Sequence, residues 1–86
     1  MYKVEYHKRV IKFLSKQNLD FRKKVLDSFD EIALTPHQNN FDIKPMQGEK
    51  DNYRLRLGKY RIIFEIKDEQ LLIKVIDAGS CGDIYK

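Results

Sequence analysis

The chain of 86 residues has room for one modest core, since a domain of that size buries roughly 60–65% of the surface its unfolded chain exposes. Its 42% hydrophobic and 35% charged residues match a folded soluble protein rather than a disordered one, and no apolar run is long enough to cross a bilayer. Lys and Arg number 17 against 13 Asp and Glu, a formal charge of +4 that names no partner by itself.

The opening "MYKVEYHKR" lacks the apolar core of a signal peptide, so a cytoplasmic location is expected. "MYKVEY" alternates, with Tyr2, Val4 and Tyr6 on one side, and reads as a strand. "HKRVIKFLSKQ" then sets Val10, Phe13, Leu14 and Gln17 at helical spacing, with Lys8, Arg9, Lys12 and Lys16 mostly outward. Asn18 is a candidate end for that helix. "LDFRKKVLDSFDEIALTP" repeats the pattern through Phe21, Val25, Phe29, Ile32 and Ala33, with Asp20 the expected N-cap and Pro36 the stop. The short connection predicts an antiparallel helical hairpin.

"HQNNFDIKPMQGEKD" reads as a polar loop that Phe41, Ile43 and Met46 could pin to the core. "NYRLRL", "YRIIFEI" and "QLLIKVIDA" read as three consecutive strands. The order β-α-α-β-β-β predicts an α+β fold in one domain, residues 1–86: an antiparallel sheet with the helical hairpin packed on one face and the other face open. The lone Cys81 can form no internal disulfide or thiolate metal site, and His7 and His37 lie far apart, so neither a metal nor a cofactor is expected.

Charge gathers in one place. From 50 to 61 the cations Lys50, Arg54, Arg56, Lys59 and Arg61 face the single acid Asp51, a net of +4 equal to that of the whole chain. Gly58-Lys59 fits a two-residue turn of type II′, which sets Leu57 against Tyr60, Arg56 against Arg61 and Arg54 against Ile63. Alternation then puts Leu55, Leu57, Tyr60 and Ile62 under the helices and the three arginines on the open side. Like charges directly opposed destabilise a sheet, and Glu65 is the nearest acid on that face. The arginines therefore read either as a solvated basic face or as a phosphate site, because a planar guanidinium holds two phosphate oxygens and keeps its charge.

The stretch "YRLRLGKYRIIFEI", followed by a strand and "DAGSCGDIYK", resembles the RelE/ParE toxin superfamily, in particular its RelE-type mRNA interferases. The element order extends the likeness over essentially the whole chain, with "PMQG" standing where a Leu-X-Gly motif is usual. The resemblance implies a cytoplasmic toxin that cuts translated mRNA in the ribosome and is held inactive by a cognate antitoxin, the free chain being a monomer. It implies catalytic roles for Arg54, Arg56, Arg61 and Tyr85, the last in proton transfer. Cys81 stands where these tails usually carry an arginine, which predicts weakened cutting. Lys50, Lys59, Lys8, Lys12, Lys16 and Lys23 are the expected RNA contacts, and no membrane is involved. A gyrase inhibitor of the ParE type and a non-catalytic antitoxin-binding module remain the alternatives.

Overall fold

The computed structural model describes residues 1–80. β1 (Lys3–Tyr6) leads into α1 (Lys8–Ser15) and α2 (Leu19–Leu34), followed by β2 (Ile43–Pro45), β3 (Asn52–Leu57), β4 (Tyr60–Lys67) and β5 (Leu72–Ser80). The strands form one sheet in the order β1-β5-β4-β3-β2. The α+β class is as expected, but the sheet is mixed rather than wholly antiparallel. β1 runs parallel to β5, with Val4 beside Ile73. Parallel neighbours need a long connection, and here both helices and three strands lie between them.

β2 is the second departure. It lies inside the stretch read as a loop, where Pro45 argues against a strand. An edge strand tolerates proline, since a missing ladder donor costs little there. Among the described residues β2 pairs with β3 alone, and bonds from Met46 N–H to the Asn52 carbonyl and from Arg56 N–H to the Asp42 carbonyl extend the ladder at both ends. "KDE" opens a 3-10 turn, Asp68–Gln70, before β5.

Both helices start on side-chain caps. The Nδ1 of His7 accepts from the Arg9 amide at 3.1 Å. Asn18, not Asp20, caps α2, accepting from the Phe21 amide at 2.8 Å. Asp20 instead sits in the first turn, where a carboxylate suits the positive end of the helix. α2 stops at Leu34, just short of Pro36.

The helices cover one face of the sheet. Val10 and Leu14 of α1 and Val25, Phe29, Ile32 and Ala33 of α2 pack against Leu55, Ile62, Phe64, Ile73 and Val75. Phe29 lies at the centre, fully buried, edge-on to Tyr6 at 6.0 Å and to Phe64 at 5.2 Å. Burying such a ring contributes roughly 1.5–3 kcal/mol.

Candidate nucleic-acid interface

The β3–β4 hairpin turns at Gly58, whose φ of +59° is open to glycine at no steric cost. Lys59 keeps a negative φ, as a II′ turn requires. The register is the expected one: Leu57 opposite Tyr60, Arg56 opposite Arg61, Arg54 opposite Ile63. Tyr60 locks the tip to the helices, its ring 4.6 Å from Phe21 and 5.7 Å from Phe13. The Lys59 ammonium lies 5.5 Å from the same ring. With Leu55, Leu57 and Ile62 buried in the core, alternation turns Arg54, Arg56 and Arg61 to the other face.

The three arginines differ in access. Arg56 is exposed and Arg54 half-buried, but Arg61 is only 5% exposed. The expectation of three open guanidiniums is corrected for Arg61. β4 is an interior strand, flanked by β3 and β5, whereas Arg56 lies beyond the end of β2. On β5 the partner of Arg61 is Gly79, which has no side chain to lift the arginine stem from the sheet.

A fourth cation joins them. β2 places Lys44 directly beside Arg54 in the ladder, and Ile43, packed on the core, leaves Lys44 on the open face and exposed. Lys44 was not foreseen because its strand was not. The available signal was the alternation Phe41, Ile43 with polar residues between, masked by the proline. Among the described residues, Lys44, Arg54 and Arg56 take part in no ion pair within 4.0 Å.

The acids on this face lie around the cations. Asp42 is next in line beside Arg56, its carbonyl accepting from the Arg56 amide at 3.0 Å. A bulge at Ile76, between the pairs Ile63–Asp77 and Phe64–Val75, turns Asp77 to the arginine side. The Asp77 carboxylate accepts from the Ala78 amide at 2.9 Å. Glu65 lies farther along, between Asn52 and Lys74. The sheet thus has a cationic corner on β2–β4 and a mixed-charge region toward β1.

Lys50 is not part of that corner. It lies before β3, at the end away from Arg56, and lines a cleft with Asp51, Glu65, Lys67, Asp68 and Glu69. Lys8, Lys12, Lys16 and Lys23 are all exposed on the helical side, and Lys23 pairs with Asp27 at 3.1 Å. Cys81 and Tyr85 lie outside the described residues.

Another polar cluster ties three segments together away from the arginines. The Tyr2 hydroxyl donates to Asp68 Oδ1 at 2.6 Å, and His37 Nε2 lies 2.8 Å from the same oxygen. The bond from Tyr2, then that from His37, holds the Asp68 carboxyl below its usual range, and the same bond raises the Tyr2 phenol. No helix among the described residues is long and apolar enough to cross a membrane.

The description of the family model matching residues 4–85 is the ParE toxin of a type II toxin–antitoxin system, parDE. The RelE1 relative of Methanocaldococcus jannaschii is 32% identical over 74 residues, which span 84% of this chain and 82% of the relative. The archaeal RelE–RelB complex of Pyrococcus horikoshii contains a chain that superposes with a TM-score of 0.82 at 30% identity, covering 94% of this chain and 96% of the other. The RelB–RelE antitoxin–toxin complex of Methanococcus jannaschii gives 0.78 at 25% identity, covering 95% of each chain.

Proposed function

The chain belongs to the RelE/ParE toxin superfamily, and on that premise we propose that it cuts translated mRNA in the ribosome, without a metal ion, as the toxin of a type II toxin–antitoxin pair. The observation that carries this reading is the opposition of Arg56 to Arg61, with Arg54 one pair along, on the face the helices leave uncovered. Like charges so placed work against the sheet. They are useful where an anion lies over them, and a phosphodiester is the anion that guanidinium geometry fits.

In RNA cleavage without a metal, the neighbouring 2′-hydroxyl attacks phosphorus, its proton goes to a base, and the leaving 5′-oxygen is protonated. Negative charge grows on the phosphoryl oxygens in between. Exposed Arg56 and half-buried Arg54 would meet those oxygens, and Arg61 would add positive potential from beneath. Tyr85 takes the proton-transfer role, assigned from sequence. Guanidiniums near a phenol favour its ionised form, which is what a tyrosine base needs. Cys81 replaces the arginine usual at its position and offers no charge and one weak donor.

The partner follows from the same chemistry. The Pyrococcus and Methanococcus toxins are seen in complex with RelB antitoxins. An acidic segment of a cognate antitoxin over the cationic corner would neutralise it and exclude RNA.

Primer extension on mRNA translated in the presence of the chain tests the assignment. Cut ends are expected with Cys81→Arg, and weaker by about 10²–10³ with Cys81 in place, the usual loss for one charge-stabilising donor. No cut ends from either form would overturn it. The ParE description of the matched family favours one second reading, a gyrase inhibitor. Blocked DNA supercoiling beside intact mRNA would establish that reading instead.

A further inference from the structure

We propose that Lys44 binds RNA, holding the phosphate next to the one met by Arg56 and Arg61, so that the RNA strand crosses the sheet from β4 over β3 to β2. The inference rests on the reading of this corner as an RNA site and adds a residue and a direction to it. Three observations carry it. Lys44 stands beside Arg54 in the β2–β3 ladder, where a second like-charge pair repeats the problem set by Arg56 and Arg61. It is exposed, and no carboxylate among the described residues lies within 4.0 Å of it. Its row continues through Arg54 to Ile63 and ends at the acid Asp77 on β5, while the row of Arg56 and Arg61 runs from the acid Asp42, just before β2, to Gly79, so that on the β2 side Lys44 is the cation that continues the corner and Asp42 the acid that bounds it.

The cations therefore step from β4 through β3 to β2. Two strand spacings of about 4.8 Å make a span of roughly 10 Å, wider than a single phosphate group. A polyanion lying across the strands meets a cation at each step. One lying along them, from the hairpin tip toward Lys50, leaves Arg56 and Arg54 for a cleft where the acids Asp51, Glu65, Asp68 and Glu69 outnumber Lys50 and Lys67. Charge thus favours the crossing path.

Lysine on an edge strand has another use, to discourage pairing with a second sheet. That role is served equally by a glutamate, whereas phosphate binding is reversed by one. The experiment uses the full chain and a dye-labelled, 2′-O-methylated single-stranded RNA that cannot be cut, with anisotropy read over a salt series. Lys44→Ala is expected to bind roughly three- to tenfold more weakly. Its salt slope should be shallower by about 0.7, the value of one phosphate contact on a single strand. Lys44→Arg should restore both quantities, Lys44→Glu should weaken binding further, and Lys3→Ala on the far edge should match the parent.

An unchanged slope in Lys44→Ala, or binding by Lys44→Glu equal to the parent, overturns the inference, as does the absence of salt-dependent binding by the parent chain. Lys44-dependent binding beside uncut mRNA on ribosomes leaves the inference standing and removes the proposed cleavage.

Discussion

Arg56 and Arg61 face each other directly across the β3–β4 hairpin, one exposed and the other 5% exposed. Opposed like charges cost a sheet about 0.2–1 kcal/mol, so the pair sets stability against function. Arg56→Thr keeps a residue suited to a strand and removes the repulsion. Its expected effect is a rise in unfolding free energy of about 0.2–1 kcal/mol by urea titration. Cutting of translated mRNA should fall by about 10²–10³. A variant that loses stability and keeps its cutting would contradict both halves of the argument.

The opposition depends on the turn. Gly58 has φ +59°, and a Cβ built there would meet nothing within 4 Å. The cost of Gly58→Ala is therefore conformational alone, about 1–3 kcal/mol for a non-glycine residue held at such a positive φ. Gly58→Asn should cost less, because asparagine enters that region more readily. Equal urea midpoints for the two variants would mean that backbone strain does not govern this turn.

The hairpin was legible because its signals are local. Gly58-Lys59 names the turn, the turn fixes the register, and alternation sorts arginine from leucine. The helices were legible for the same reason, through the spacing of Val25, Phe29 and Ile32. What escaped depends on contacts distant in sequence. β2 is three residues long and holds a proline, so only its pairing with β3 makes it a strand. The parallel placement of β1 is decided by where β5 ends up. Arg61 has the face that alternation assigns, but alternation carries no sign of its burial, which sets it apart from half-buried Ile63 and Glu65 on the same face of β4. The bulge at Ile76, which turns Asp77 toward the arginines, breaks the alternation on which a sequence reading relies.

Phe29 is the core's central ring, 0% exposed and edge-on to both Tyr6 and Phe64. Large aromatic truncations at such sites cost about 3–5 kcal/mol, against total stabilities of about 5–15 kcal/mol. Phe29→Ala should leave a marginal fold, with a loss of that size in urea unfolding. Phe29→Leu should retain a cooperative transition. A loss under about 1 kcal/mol for the alanine variant would show that the ring is not a packing centre.

Asp68 and Tyr6 contribute to opposite limbs of the stability–pH profile. Asp68 titrates below its usual range because Tyr2, and then His37, bonds to its carboxylate. A lowered carboxyl contributes stability above the unfolded value of about 3.9 and loses it as pH falls through the folded value. On the alkaline side, Tyr6 is pushed up to about 12, first by burial and then by Asp30. A raised phenol contributes stability fully below the unfolded value of about 10, and that contribution is lost as pH rises toward 12. Tyr2 is raised by its bond to Asp68 and adds to the same limb. Asp68→Asn should flatten the fall in urea midpoint below about pH 4 and let Tyr2 ionise nearer its ordinary value, as read by tyrosinate absorbance. Tyr6→Phe should flatten the fall between about pH 10 and 12 and leave the acid limb unchanged. An acid limb of parental steepness in Asp68→Asn would exclude this carboxylate as its source.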